Sequence, residues 1–292
     1  MNELIVGFGE VLWDLLPEGR KLGGAPANFV YHVSQFGLDS CVVSAVGDDP
    51  LGAELRADLD AKGVNHSLAT VSRPTGTVQV ELDAEGIPQY EITEHVAWDN
   101  IPWTPQLEQL AQRTRAVSFG SLAQRSAVSR ATLGRFLDAM PHTDDTLIVF
   151  DANLRQGFYD AETLHRSMSR CRVLKINDEE LAVLSRLFDL PGGGLQEQCR
   201  RLAARYDLKL LILTCGTRGS YVFSAEECSF LPTPRVAVAD TVGAGDSFTA
   251  AFLASVIRGR SVAEAHRRAV EVSAFVCTQQ GAMPLLPADL TR

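Results

Sequence analysis

Asp240-Thr-Val-Gly-Ala-Gly-Asp-Ser-Phe248 is the segment of this sequence best suited to chemistry. Gly243 and Gly245 free the backbone to turn its N–H groups toward a ligand. The apolar run Thr249–Ile257, closed by Gly259, reads as a helix opened by that loop. First-turn amides and the dipole of such a helix attract an anion. Asp246 then falls in the first turn, where an acid complements the dipole whether or not it does chemistry. No Gly-Lys-Ser/Thr follows, so this is not a Walker A loop, and Phe248 stands where a dinucleotide fingerprint has its third glycine.

The elements that must position this loop are written as short apolar runs: Leu4–Phe8, Cys41–Val46, Val117–Phe119, Leu147–Phe150, Val173–Ile176 and Leu210–Leu213. Such runs are buried strands of a mainly parallel sheet, and helical stretches such as Ala127–Met140 and Glu179–Phe188 lie between them. Strand and helix in alternation predict an α/β fold with helices on both faces of the sheet. In such sheets ligands sit at the carboxyl ends of the strands, and Asp151, Asn177 and Thr214 each follow a run directly. Two segments break the rhythm. Val11–Leu22 contains the polar turn Pro17-Glu18-Gly19, and Thr77–Ile92 reads as a hairpin turning at Asp83-Ala84-Glu85-Gly86. Its strand Thr77–Leu82 alternates Val78, Val80 and Leu82 with Thr77, Gln79 and Glu81, as a sheet with one wet face requires. Both segments are expected to form a small β lid on a single domain of residues 1–292. Pro191-Gly192-Gly193-Gly194 is a loop rather than a linker, because the βαβ pattern continues on both sides.

The chain has 292 residues, 46% hydrophobic and 22% charged, with a net charge of −9. That is a globular composition, and its acidity argues against nucleic-acid binding, which needs a basic face. The six cysteines are scattered, with no CxxC pair, as expected of reduced thiols in a cytoplasmic protein. Glu3, Glu10 and Asp14 near the start, with no basic stretch, argue against a secretory leader. No apolar run approaches the roughly 20 residues of a membrane span.

Asp240–Phe248 resembles, residue for residue, the DTxGAGDxF signature of the PfkB/ribokinase sugar kinases. The N-terminal signature is similar too: Gly23-Gly-Ala-Pro-Ala-Asn28, then Phe29–Gly37, Gly47-Asp48 and Gly52. The resemblance spans nearly the whole chain. It implies a ribokinase-like three-layer α/β/α sandwich around a mainly parallel sheet, with the lid over a sugar. It implies that Asp246 is the catalytic base and that the amides of Gly243, Ala244 and Gly245 form the anion hole for the transferring phosphoryl group. Asp14, Gly24 and Asn28 match sugar-binding positions, where carboxylates and amides can pair with neighbouring hydroxyls; Asn28 would equally serve as a helix cap. Asn177 and Glu180 match the NxxE motif that organises Mg²⁺ through water, and they also read as an acidic helix start. Lys175 is placed to face a phosphate, though a solvated lysine is commoner. Thr214, Gly216 and Gly219 match the TxGxxG nucleotide loop, and Arg155 of Asp151-Ala-Asn-Leu-Arg matches an arginine held near the phosphates. The last helix carries a capping box, Ser261 to Glu264, and is expected to end near Gly281. A K⁺ site of backbone oxygens is implied around Asp240, Val242, Val276, Gln279 and Gly281.

The resemblance therefore implies an ATP- and Mg²⁺-dependent kinase acting on a primary hydroxyl of a small sugar. Gly9-Glu-Val-Leu-Trp-Asp14, Leu22–Phe29, Tyr31-His32 and Phe119-Gly-Ser-Leu-Ala-Gln124 are similar to bacterial fructokinases, with 2-keto-3-deoxygluconate and ribose as the alternative substrates. A sugar-binding protein without catalysis on the same fold would not need the base, and a dehydrogenase would need the missing fingerprint. A homodimer through paired lids is expected, because the hairpin would otherwise expose an apolar face and a strand edge.

Overall fold

A computed structural model describes residues 4–16, 19–82 and 88–292. The chain opens with β1 (Leu4–Phe8), the pair β2 (Leu12–Leu16) and β3 (Gly19–Gly23), α1 (Ala25–Gln35), β4 (Ser40–Gly47), α2 (Pro50–Ala61) and β5 (His66–Val71). A second pair, β6 (Thr77–Leu82) and β7 (Pro88–Ile92), precedes α3 (Pro105–Ala111). Strand and helix then alternate through β8 (Thr114–Phe119), α4 (Ala127–Ala139), β9 (Leu147–Asp151), α5 (Ala161–Arg170) and β10 (Val173–Asn177). After α6 (Asp178–Leu187), α7 (Leu195–Arg205) and β11 (Leu210–Thr214) come the hairpin β12 (Ser220–Phe223) and β13 (Cys228–Leu231), then α8 (Ala244–Ile257) and α9 (Val262–Cys277).

The six runs singled out in the sequence are neighbours in one nine-stranded sheet, ordered β13-β12-β11-β10-β9-β8-β1-β4-β5. Only the β12 and β13 pairings are antiparallel. Successive side chains of a strand face opposite ways, and here both faces are covered. Leu4, Val6 and Phe8 of β1 join a core with α3 to α7, whereas Ile5 joins a core with α1, α2, α8 and α9. The result is the expected three-layer sandwich. Its strand order reverses at β1, with β4 on one side and β8 on the other, and such a switch point opens a crevice at the carboxyl ends.

The two segments outside the rhythm join in a single four-stranded sheet, β3-β2-β6-β7, with β2 and β6 parallel. The turn residues Pro17, Glu18 and Asp83 to Gly86 lie outside the described residues. The lid sheet rests on a small core of Leu12, Val78, Ile92, Trp98, Leu122 and Ala123. Arg125 locks it down. Its Nε and Nη2 donate to Asp99 at 2.8 and 2.9 Å, and Nη2 also donates to the Thr93 carbonyl just past β7 at 2.7 Å. The guanidinium lies 4.0 Å from the centre of Trp98 and 4.6 Å from that of Phe158.

One expected boundary differs. α9 ends at Cys277, because the Thr278 hydroxyl donates to the Phe275 carbonyl and closes the last turn before Gly281 is reached. Among the described residues no helix is long and apolar enough to cross a membrane.

Removing one partner of a buried ion pair strands the other charge. Asp99→Ala is expected to lower unfolding free energy by about 3–5 kcal/mol in chemical denaturation; a loss below about 1 kcal/mol, the level of an exposed pair, contradicts this role for Arg125.

Candidate active site

The α8 N-terminus is built around Gly243, which adopts φ 77° as the N-cap residue. An alanine there would place its Cβ 2.7 Å from the Ala282 Cβ, so both the backbone angle and the space require glycine. Ala244, Gly245 and Asp246 form the first helical turn, whose amides precede the helix's own ladder. Gly245 rests against a buried cation: a Cβ on it would lie 3.0 Å from the Lys175 ammonium.

This turn stands between two hollows. Ala244 and Gly245 line a cleft of about 750 Å³ together with Thr214, Gly216, Gly219 and Phe248. The three predicted nucleotide-loop residues are thus gathered here, after β11. The rim adds Arg235, Val236 and Val238, from a segment between β13 and α8 that carries no recognisable motif. Asp246 lines the other, smaller hollow with Ala25, Gly120, Asp151 and Asn153. A separate cleft of about 520 Å³ around Arg73, Asn100 and Arg125 holds none of the predicted site residues.

Asn28 is not the cap of α1. Gly24 is, and Asn28 lies inside the helix, buried, with its Nδ2 donating to Asp246 Oδ2 at 2.8 Å. Its Oδ1 is buried without a protein partner. Gly24 adopts φ 112°, and a Cβ on it would come within 2.4 Å of the Glu10 carbonyl. Asp14 of β2 pairs across the lid with Lys21 and Val78. Burial pushes its carboxyl up to about 6, against the pull of Lys21.

Desolvation pushes Asp246 up to about 6 as well; the Asn28 hydrogen bond opposes this, Asp151 adds to it, and Lys175 and Arg155 oppose it. Arg155 is itself exposed, its Nη1 only 3.4 Å from the Leu154 carbonyl. Lys175 does not line the large cleft. It is buried and pairs with Asp151 at 3.0 Å. Burial alone would depress its ammonium, but Asp151 and Glu180 hold it above the ordinary value.

Asn177 and Glu180 form a reciprocal capping box on α6. The Glu180 oxygens accept from the Leu154 and Asn177 amides, both at 2.8 Å. Among the described residues no cluster of three or more His, Cys, Asp or Glu is arranged to hold a metal. Asp240 joins the loops of the implied K⁺ site: Oδ1 accepts from the Val242 amide and Oδ2 from the Gly281 amide, both at 3.0 Å. The Val276 carbonyl accepts from the Gln279 amide at 3.0 Å.

Sequence reasoning assigned no task to Glu10. It is 4% exposed, its Oε2 has no partner, and burial raises it to about 7, helped by the Asp246 charge and opposed by its own amide and that of Ala25. Its signals in the sequence were its place in the Gly9–Asp14 match and its position two residues past a buried strand. Asp151 was visible as a strand-end residue, but its pairing with Lys175 depends on parallel register, in which the two are opposite one another.

The family described as pfkB family carbohydrate kinase matches residues 18–289. A fructokinase of Klebsiella pneumoniae is 31% identical over 305 residues, covering 98% of this chain and 97% of the relative. Among solved structures, a fructokinase of Xylella fastidiosa with bound ATP has a TM-score of 0.86 at 22% identity, covering 98% of this chain and 96% of its own. A 2-dehydro-3-deoxygluconokinase of Thermotoga maritima also has a TM-score of 0.86, at 20% identity, covering 100% of this chain and 97% of its own.

The hydrogen bond from Asn28 favours the charged form of Asp246, so its loss must raise the pKa. Carboxyl-carbon NMR is expected to place the Asp246 midpoint near pH 6 and to move it upward in Asn28→Ala. A midpoint at the ordinary 3.8, or a downward move, contradicts this electrostatic picture.

Proposed function

The chain belongs to the pfkB family of carbohydrate kinases, and we propose that it transfers the γ-phosphoryl group of ATP to the 6-hydroxyl of D-fructose, with Asp246 as the base. The observation that carries this reading is the shared turn: Ala244 and Gly245 line the large cleft, and Asp246 lines the small one. A donor in the first and an acceptor hydroxyl in the second would meet at the α8 N-terminus.

The nucleotide lies in the 750 Å³ cleft, its phosphates toward Thr214, Gly216 and Gly219. Val236 and Val238, exposed at the rim, suit the flat face of a base. The amides of Gly243, Ala244 and Gly245 hold the charge that spreads over the transferring group, where positioning and electrostatics do most of the work. Lys175, beneath Gly245, adds positive charge behind that turn, and Arg155 reaches in from the mouth. Mg²⁺ bound with ATP supplies charge neutralisation. Asn177 and Glu180 fit a role through water, because their oxygens already accept backbone N–H groups and retain further lone pairs. The joined loops around Asp240, Val242, Val276, Gln279 and Gly281 would offer backbone oxygens to K⁺.

Asp14 and the orphan Oδ1 of Asn28 accept sugar hydroxyls, and Gly24 lets α1 begin tightly against the Glu10 carbonyl, which sets Asn28 one turn on. Asp246 takes the proton of the attacking hydroxyl. A neutral sugar is favoured over a keto-deoxy acid because a carboxylate needs a cation in the pocket. Arg125 is committed to Asp99, Arg20 is paired with Glu54, Lys21 lies across from Asp14, and Arg155 is given to the phosphates in this reading. Similarity to the Klebsiella fructokinase supports fructose in particular.

The lid is proposed to pair with a second copy. Its outer strands, β3 and β7, each have one neighbour among the described residues, and open edges recruit partner strands.

Asp246→Asn is expected to lower kcat at least ~10²-fold with sugar affinity nearly unchanged, because base catalysis is felt in the transition state; near-normal turnover removes Asp246 from the mechanism. Comparing kcat/KM for fructose, ribose and 2-keto-3-deoxygluconate on one preparation tests the substrate, and a higher value for either alternative overturns fructose. Sedimentation equilibrium is expected to give a dimer. A monomer at high concentration refutes lid pairing.

A further inference from the structure

Asn28 is one of three residues through which α1 reaches toward the C-terminal part of the chain. One turn on, the His32 ring is fully buried, and its Nε2 lies 2.8 Å from the Ala282 carbonyl. A carbonyl only accepts, so Nε2 carries the proton and Nδ1 is the acceptor, with the Gln35 amide nitrogen 3.4 Å away. Burial pushes the imidazole down to about 4, so this neutral tautomer persists through the physiological range. Gln35, another turn on, donates to the Pro284 carbonyl at 3.3 Å and accepts from the Leu286 amide at 2.7 Å.

Ala282 in turn backs the anion turn. A Cβ built on Gly243 would lie 2.7 Å from the Ala282 Cβ and 2.8 Å from its Cα and carbonyl oxygen, so the two residues are in close contact with no slack. One residue earlier, the Gly281 amide ties the same loop to Asp240 at 3.0 Å. The loop touches the 240–243 turn at two points, and a buried side chain of α1 holds the Ala282 carbonyl that faces Gly243.

We infer that His32 is a positioning residue for phosphoryl transfer, holding the Gly243–Gly245 turn in place through Ala282. Asn28 and His32, four residues apart on one helical face, set the base and the anion turn from the same rigid element. A charge-stabilising site loses rate when its donors drift by fractions of an ångström, while sugar contacts at Asp14 and Asn28 are untouched. The inference rests on the reading of Gly243–Gly245 as the anion turn.

The test compares purified variants by steady-state kinetics and melting temperature, using the best sugar found in the panel. His32→Leu, which removes the donor, is expected to lower kcat at least ~10-fold with the sugar KM within about twofold. His32→Gln, whose side-chain N–H can reach the same carbonyl, is expected to restore most of that loss. Gln35→Leu loosens the same loop farther from Gly243 and removes only the long contact to His32 Nδ1; it is expected to lower the melting temperature and to cost kcat clearly less than His32→Leu. Full kcat in His32→Leu, or an equal loss in Gln35→Leu, overturns the inference. Should His32→Leu fail to fold, Ala282→Val keeps the His32 bond and crowds Gly243 directly; it must then lower kcat, and an unchanged kcat is equally fatal. Gly245→Val separates the two layers of the argument, because an active Gly245→Val removes the anion turn itself, whereas an inactive one beside a normal His32→Leu removes only the role of His32.

Discussion

Parallel pairing of β8 through β11 is the constraint from which the rest of the site follows. Parallel strands point the same way, so Gly120, Asp151, Asn177 and Thr214 emerge along one edge of the sheet. Each strand is buried on both faces, so polar groups fall mostly at its ends and those within it, such as Lys175, need a partner. The chemistry therefore collects on a line, and α8 lays its N-terminus across it. Lys175 shows how tight the arrangement is. It belongs to β10, faces Asp151 on β9, and supports the Gly245 backbone from below. A buried ammonium would be costly alone; with Asp151 beside it and Glu180 near, it becomes a fixed positive charge under the Gly243–Gly245 turn.

The carboxyl groups at this edge are crowded. Glu10, Asp151 and Asp246 lie close enough for charge on one to disfavour charge on another, and burial raises both Glu10 and Asp246. Their different partners separate them. Asp246 accepts a side-chain hydrogen bond from Asn28, which favours its charged form, whereas Glu10 keeps one oxygen without a partner.

Much of this was legible in the sequence, and the exceptions have physical reasons. The strands could be read because runs such as Leu4–Phe8 and Leu210–Leu213 are buried on both faces and need no alternation. The glycine loop could be read because Gly243 needs a left-handed backbone and has no room for a side chain. Asn28 could not be told from a cap, because a cap and an interior residue differ by a few positions at a helix start. Glu10 looked like any acid after a strand until its isolation from water was visible. The rim segment with Arg235 and Val238 had no pattern at all, since an irregular loop shaped by its surroundings carries no period. His32 stood in the sequence only as part of the Tyr31-His32 similarity, and its contact with Ala282, 250 residues away, could not be read there.

That separation bears on how the molecule comes into being. The Asn28 to Asp246 contact spans 218 residues, so the acceptor corner joins material made at the start of synthesis to material made near the end. Early strands, α1 and α2 can collapse on the ribosome, but until α8 and α9 have emerged they leave the Asn28 face of α1 and part of one side of the sheet uncovered. Contacts of such long range also close late and slowly. A nascent chain of this protein should thus pass through a stage with most of its mass ordered, an apolar face open to chaperones, and no Asn28–Asp246 contact.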